Sequence, residues 1–134
     1  MIDTLNRYQP QALGIFRIAI ALPFIARGTQ KLLAFPASDF SPPLLSMFGI
    51  AGLLELIGGA LVLIGLFTRP VAFVLSGLMA AAYFIAHAPQ SFFPTLNGGD
   101  AAILWCFAFL YLVFAGPGAF ALDNARRGSQ AAYA

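Results

Sequence analysis

The sequence predicts an all-α protein, a four-helix transmembrane bundle whose helices run antiparallel, up and down. Hydrophobic residues make up 60% of the 134-residue chain and charged residues only 9%, whereas a soluble domain carries about 25% charged residues. A helix needs roughly 20 apolar residues to cross the hydrocarbon core of a bilayer. Apolar segments long enough for this lie at residues 11–35, 44–67, 70–88 and 100–120.

The breaks between these segments carry residues typical of loops. FPASDFSPP separates the first and second segments, FTRP the second and third, and HAPQSFFPTLNGGD the third and fourth. Proline interrupts a helix because it lacks the backbone N–H, and glycine because its backbone is conformationally free. GPG at 116–118 therefore marks the exit of the fourth segment, and we assign residues 121–134 to a polar tail. Residues 1–134 are predicted to form a single membrane domain.

The distribution of arginines favours cytoplasmic termini. With four spans, both termini and the turn between the second and third segments lie on one side, which carries Arg7, Arg69, Arg126 and Arg127. Short loops rich in Lys and Arg stay in the cytoplasm, so we predict a multi-pass protein of the bacterial inner membrane with both termini cytoplasmic. A cleaved signal peptide is the alternative for the amino end, but Arg17 interrupts the apolar core that it needs. The net charge of +2 gives no indication of a nucleic-acid partner.

Several ionisable residues fall inside the predicted spans. An unpaired charge at the centre of a transmembrane helix costs about 2.5–3.5 kcal/mol, so Arg17, Arg27 and Glu55 are expected to face other helices. The helical rise places Arg27 and Glu55 within about 6 Å of each other in membrane depth, which an arginine side chain can bridge. Glu55 is accordingly predicted to pair with Arg27, and Arg17 is assigned a structural polar role.

The same reasoning adds residues of the third segment to this set of polar residues. Helices joined by a short turn are antiparallel neighbours, and reflecting Glu55 through the turn reaches Tyr83, with His87 four residues further on the same face. The sequence thus predicts an outer-half polar pocket formed by Arg27, Glu55, Tyr83 and His87, with Lys31 and Asp100 at its rim. Glu55 and His87 are the catalytic candidates, and the candidates for binding substrate or cofactor are Arg27, Lys31, Tyr83 and Asp100. The alternative is structural: Glu55 ties two helices together, and His87 is an interfacial residue.

The chain offers few ligands for a metal or a redox cofactor. Cys106 is its single cysteine, which excludes a disulfide or dithiol pair within the chain. With one histidine and no cysteine cluster, we expect no zinc or iron–sulfur site. No glycine-rich nucleotide loop follows a strand. If electrons pass through this protein, their carrier is a bound quinone or belongs to a partner.

Several segments together resemble a known family. GTQKLLAF, GLLELIGGALVLIGLFTRPVA, FFPTLNGGD and GPGAFALD, with the lone His87, are similar to the DoxX family of small bacterial membrane proteins over roughly residues 13–123. One departure is Asp100, where the family usually has glutamate. The resemblance implies a four-helix integral membrane protein. It also implies a role beside oxidoreductases, since a relative is a membrane subunit of thiosulfate:quinone oxidoreductase.

Three functions remain open from the sequence. The first is a membrane subunit of a quinone-linked oxidoreductase, in which Arg27 or His87 binds a quinone carbonyl and Glu55 or His87 relays a proton. The second is a non-catalytic scaffold or assembly subunit, in which the polar residues set the helix register. The third is a small-molecule permease, although no inverted repeat supports alternating access. Expected partners are membrane lipid, oxidoreductase subunits and a second copy of the chain.

Overall fold

The regular structure of this protein is helical. The computed structural model describes residues 1–35 and 42–126, and the all-α prediction is confirmed in these ranges. The helices are α1 (Ile2–Arg7), α2 (Gln9–Leu33), α3 (Met47–Ile64), α4 (Thr68–Ala82), α5 (Pro94–Asn97) and α6 (Asp100–Ala115), and residues 122–126 are also helical. A π-helical turn, Tyr83–His87, and a 3-10 turn, Ala88–Gln90, continue α4 without a break.

Three helices are long and apolar enough to cross a membrane. They are α2 with 25 residues, α3 with 18, and the continuous helix Thr68–Gln90 with 23. The apolar helix α6 has 16 residues, which corresponds to about 24 Å of helix, somewhat less than a hydrocarbon core of roughly 30 Å. In the described ranges the chain therefore has three to four apolar helices able to span a membrane.

Local backbone chemistry sets the helix ends a few residues away from the predicted limits. The second span was predicted from residue 44, but α3 begins at Met47 because Ser46 caps it, its Oγ accepting a hydrogen bond from Gly49 N at 3.2 Å. Helix α6 ends at Ala115, before the predicted limit of 120, because the chain turns at Gly116 with a φ of +82°. A side chain with a Cβ rarely adopts that conformation.

Helices α2 and α3 are in direct backbone contact, and small residues make this possible. A Cβ added to Gly28 would lie 2.7 Å from Leu56 N and 2.9 Å from Gly52 O, which is too close for any side chain. Small residues allow helices in a membrane to approach in this way. The glycines in GLLELIGG therefore bring the polar residues of α2 and α3 within reach of each other.

The hydrophobic core joins all four long helices. Phe24 of α2 is fully buried, and its ring contacts Phe109 and Trp105 of α6 with ring centroids 4.9 Å and 5.5 Å away. Both pairs have the edge-on geometry that aromatic rings favour. The other buried members of the core are Ala21, Val62, Ala72, Leu75, Met79 and Leu112.

The two ends of the bundle differ in chemistry. The Arg69 end contains the starts of α2 and α4 and the end of α6, and the His87 end contains the π-helical turn and α5. Near the Arg69 end the Arg17 side chain is 0% exposed. Its guanidinium donates hydrogen bonds to the carbonyls of Pro117, Ala119 and Phe120 in the segment after α6. Arg17 therefore attaches that segment to α2.

Asp123 caps α4 from the far end of the chain. Its carboxylate accepts hydrogen bonds from Phe67 N at 2.8 Å and Thr68 N at 2.9 Å. Burial raises the pKa of Asp123, but the hydrogen bonds from Thr68 and Phe67 and the charge of Arg126 outweigh this and lower it below its usual value. The start of the segment predicted as a polar tail, up to residue 126, thus packs on the bundle. Residues 127–134 lie outside the described ranges.

Candidate functional site

A cavity of about 450 Å³ lies among α2, α3 and α4 at the His87 end. Its walls are mainly apolar side chains of α3, α4 and the π-helical turn, including Met47, Leu54, Met79 and Ile85. Arg27, Lys31, Glu55 and His87 also line it. We call this space the Glu55 cavity. Four of the six predicted catalytic and binding residues therefore meet around one space.

Lys31 is the ion-pair partner of Glu55. Its Nζ lies 2.7 Å from Glu55 Oε1, and the two side chains are 18% and 1% exposed. The prediction that Arg27 is this partner was wrong, because depth along the membrane normal does not determine which way a side chain points. Gly52 leaves room for the lysine stem, since a Cβ added there would lie 2.9 Å from Lys31 Cβ.

Arg27 faces α6 as well as the cavity. Its guanidinium carbon lies 5.2 Å from the centroid of the Trp105 ring, a cation–π contact. Trp105 is itself oriented by a hydrogen bond from its Nε1 to Ile20 O at 3.1 Å. The Nε atom of Arg27 is buried and has no hydrogen-bond partner in residues 1–35 and 42–126. Arg27 thus keeps a donor that no described residue uses.

Glu55 also has a buried polar atom without a hydrogen-bond partner among the described residues. While Oε1 is paired with Lys31, Oε2 is buried and has no hydrogen-bond partner in the part of the chain that the structure describes. Leaving such a group unsatisfied costs about 1–3 kcal/mol, and more when it is charged. A molecule that donates a hydrogen bond at this wall of the cavity would remove that cost.

His87 lies at the end of the π-helical turn, a rare structure that is often found at functional sites. Its Nδ1 lies 3.0 Å from the carbonyl oxygen of Asn97. Since a carbonyl oxygen only accepts, Nδ1 carries the hydrogen, and Nε2 is left as the nitrogen that can exchange a proton. A fixed second nitrogen of this kind orients a histidine for chemistry.

Tyr83 and Asp100 do not line the Glu55 cavity. Tyr83 and His87 do lie on one face, as predicted, with ring centroids 6.5 Å apart, but only His87 reaches the cavity. The Tyr83 hydroxyl instead accepts a hydrogen bond from Asn97 Nδ2 at 3.2 Å. Asp100 is exposed at the first position of α6.

Asn97 is a residue of the site that sequence reasoning missed. It is 3% exposed, and besides its contact with Tyr83 its Nδ2 donates to Ser91 O at 3.0 Å and its Oδ1 accepts from Gly99 N at 2.8 Å. Together with its carbonyl bond to His87, this fixes the α5 loop over the π-helical turn. The signal was present in FFPTLNGGD, since Asn before Gly is typical of a tight turn.

The site contains nothing that resembles a metal centre. Among residues 1–35 and 42–126, no group of three or more His, Cys, Asp or Glu side chains lies close enough to hold a metal ion. The chemistry available at the cavity is therefore that of an ion pair, a guanidinium and an oriented imidazole within apolar walls. Such walls suit a ligand that is itself largely apolar.

Fold and site together define a multi-pass helical membrane protein with a partly polar cavity between its helices. The family model described as DoxX matches residues 12–88, and the chain belongs to the DoxX family, as the sequence predicted. A protein of Haemophilus influenzae, described as uncharacterized, is 44% identical over 132 residues, covering 92% of this chain and 96% of the relative. The inner membrane protein YphA of Escherichia coli is 32% identical over 128 residues, covering 87% and 91%.

These relationships agree with the apolar helices. They confirm the predicted location of this chain as a multi-pass protein of the inner membrane. No solved structure matches the chain. Neither the family description nor the names of the relatives state a reaction, so the function has to be argued from the cavity.

Proposed function

We propose that the protein spans the inner membrane four times with both termini cytoplasmic, and that the Glu55 cavity binds a quinone as the membrane subunit of a quinone-linked oxidoreductase. Arg7 and Arg126 lie near the two termini, and Arg69 lies in the first turn of α4. The excess of cations at this end supports a cytoplasmic position for it. The Glu55 cavity then lies in the outer half of the membrane.

The observation that carries the quinone proposal is the combination of apolar walls with two charged residues, Arg27 and Glu55, that line the Glu55 cavity. Its volume of about 450 Å³ falls in the usual range of roughly 300–1,000 Å³ for small-molecule sites. A quinone is a flat apolar ring with oxygen atoms at opposite edges. Among the described residues, Arg27 Nε and Glu55 Oε2 have no hydrogen-bond partner. Arg27 can donate to a carbonyl oxygen of the quinone, and Glu55 can accept from a hydroxyl of the reduced quinol.

The four polar side chains that line the cavity each have a role in this proposal. Arg27 and Lys31 donate hydrogen bonds or positive charge toward a ligand oxygen, and Glu55 and His87 are the catalytic residues that move protons. The Asn97 carbonyl holds His87 so that Nε2 is the nitrogen available for proton transfer. A bound quinone supplies the two-electron, two-proton chemistry. Tyr83 and Asp100 do not contact the ligand in this proposal.

A scaffold role is the second candidate, and the Lys31–Glu55 pair favours it. The pair links α2 to α3 with one partner almost fully buried, an arrangement that can fix helix register without taking part in chemistry. In that case the protein would hold partner subunits in the membrane. A permease role has no comparable observation in its favour.

Ligand extraction and binding distinguish the two candidates. For the quinone role, we expect mass spectrometry to find quinone in solvent extracts of the purified protein, and a soluble short-chain quinone to raise its melting temperature. Glu55→Gln should weaken binding of the reduced short-chain quinol by about tenfold, because it replaces the charged acceptor of a quinol hydroxyl with a neutral one. Asp100→Asn is the matched control, since it makes the same chemical change on an exposed residue at the same end.

The quinone role and the scaffold role predict different results in these experiments. If the extracts contain no quinone and none stabilises the protein, the quinone role is wrong. For the scaffold role, other proteins should co-purify, and the exchange of Lys31 and Glu55 for each other should restore most of the stability lost in the single variants. If the exchanged pair is no more stable than either single variant, the scaffold role loses its support.

A further inference from the structure

We propose that the Arg69 end holds the phosphate headgroup of an anionic phospholipid, bound by Arg69 and Arg126. This site lies at the opposite end of the bundle from the Glu55 cavity and does not depend on the quinone proposal. Two open clefts meet there. The larger, of about 710 Å³, lies between the start of α2 and the end of α6, and the smaller, of about 290 Å³, lies beside the start of α4. Arg69 lines both clefts.

The guanidinium of Arg69 is held in place on one side. Its Nη1 donates hydrogen bonds to Val113 O and Phe114 O, both at 2.8 Å, which satisfies carbonyls at the end of α6. Gly116 allows this close packing, since a Cβ added there would lie 2.9 Å from Arg69 Nη2. Among residues 1–35 and 42–126, no acceptor binds the other edge, formed by Nε and Nη2, and that edge is available for a ligand. Such a planar fork fits two phosphate oxygens, and its fixed position reduces the entropy lost on binding.

The charge around Arg69 favours an anion. Arg126 lines the smaller cleft and lies over the Phe67 ring, with its guanidinium carbon 4.5 Å from the ring centroid. Asp123 lines the same cleft, but its carboxylate faces the start of α4, where the N–H groups of Phe67 and Thr68 bind it. The positive end of the helix dipole offsets part of that negative charge. With two arginines and one carboxylate, the cleft keeps a net positive charge.

The walls of the larger cleft favour a lipid over free phosphate. Leu13, Tyr111 and Phe114 line it beside Arg69, and Tyr111 and Phe114 are 52% and 76% exposed. These side chains offer an apolar surface that continues along the bundle away from the charged end. A phosphate with acyl chains uses both parts of the cleft, whereas inorganic phosphate uses only the arginines. Basic sites between helices commonly bind such headgroups.

Thermal unfolding of the delipidated protein in a neutral detergent tests this site. Trp105, the single tryptophan, reports unfolding while short-chain phosphatidylglycerol, short-chain phosphatidylcholine or inorganic phosphate is added. We expect phosphatidylglycerol to raise the melting temperature well above the effect of the other two. An equal effect of phosphatidylcholine would overturn the proposal, and an equal effect of inorganic phosphate would overturn the assignment to a lipid.

Charge-matched variants locate the site. Arg69→Gln should weaken phosphatidylglycerol binding at least about tenfold, since it removes charge-assisted hydrogen bonds, and Arg126→Gln should weaken it by a smaller factor. Arg7→Gln is the control, because Arg7 carries the same charge on the exposed helix α1 and lines neither cleft. If Arg69→Gln fails to fold, Arg126→Gln still decides. Equal losses in Arg126→Gln and Arg7→Gln would show a general charge effect and refute the site.

Discussion

Replacing Lys31 with methionine provides the sharpest test of how the Glu55 cavity is built. The change keeps most of the apolar stem and removes the ammonium group that lies 2.7 Å from Glu55 Oε1. Glu55 is 1% exposed, so its charge would lose its partner without gaining solvent. Breaking a buried pair in this way costs about 3–5 kcal/mol. Because Lys31 is itself 18% exposed, we expect a loss near the lower limit.

The double variant separates the charge effect from a packing effect. Lys31→Met combined with Glu55→Met leaves no unpaired charge, and exchanging a buried pair for apolar residues of similar size is often neutral or stabilising. We therefore expect the double variant to recover most of the lost stability. The assay is unfolding in a mixed-detergent titration followed by the fluorescence of Trp105. Arg7→Met is the control, because it removes a cation from an exposed position.

Two results would refute this reasoning. A loss below about 1 kcal/mol in Lys31→Met would place the pair among solvent-screened surface ion pairs. A double variant as unstable as the single one would show that the lysine stem, and not its charge, supports the site.

Two further predictions concern the rest of the bundle. Gly28→Ala should destabilise the protein by about 1–3 kcal/mol, because its Cβ would collide with the backbone of α3. The control Gly77→Ala, where no atom lies within 4 Å of the added Cβ, should be neutral or gain up to about 1 kcal/mol; equal losses in melting experiments would contradict the close contact. Asp123→Asn should cost about 0.3–1 kcal/mol at neutral pH. The folded state lowers the pKa of Asp123, so its contribution is lost as the pH falls below about 4, and wild type and variant should converge there in denaturant titrations. A gap that persists at low pH would refute the capping account.

The polar residues of the site were identifiable from the sequence, because a charged side chain in an apolar segment has to face another helix and not lipid. Arg27, Lys31, Glu55 and His87 do line one cavity. The pairing within that group was wrong for Arg27, since it depends on helix rotation and on the space that Gly52 provides for Lys31. Neither quantity follows from the positions of residues along a helix.

Contacts with loops and helix ends explain the remaining predictions that were wrong or missing. Tyr83 was assigned to the pocket beside His87, and the two rings are neighbours, but the Tyr83 hydroxyl binds Asn97 and the residue does not line the cavity. Asn97 acts through backbone and side-chain bonds to residues on both sides of a loop. Asp123 caps a helix that begins 55 positions earlier in the chain. Periodicity carries no information on contacts of these kinds.

The sequence alone determined that this is a helical membrane protein and which residues had to avoid lipid. Composition suffices for that conclusion because the cost of exposing charge to a bilayer, or apolar surface to water, depends on the residues and not on their arrangement. The tertiary structure alone decided that Lys31 pairs with Glu55, that Asn97 orients His87, and that Arg17 and Asp123 attach the segment after α6 to the bundle. Those contacts join residues 10 to more than 100 positions apart in the chain, and the Lys31–Glu55 pair also requires the close approach of α2 and α3 that their glycines allow.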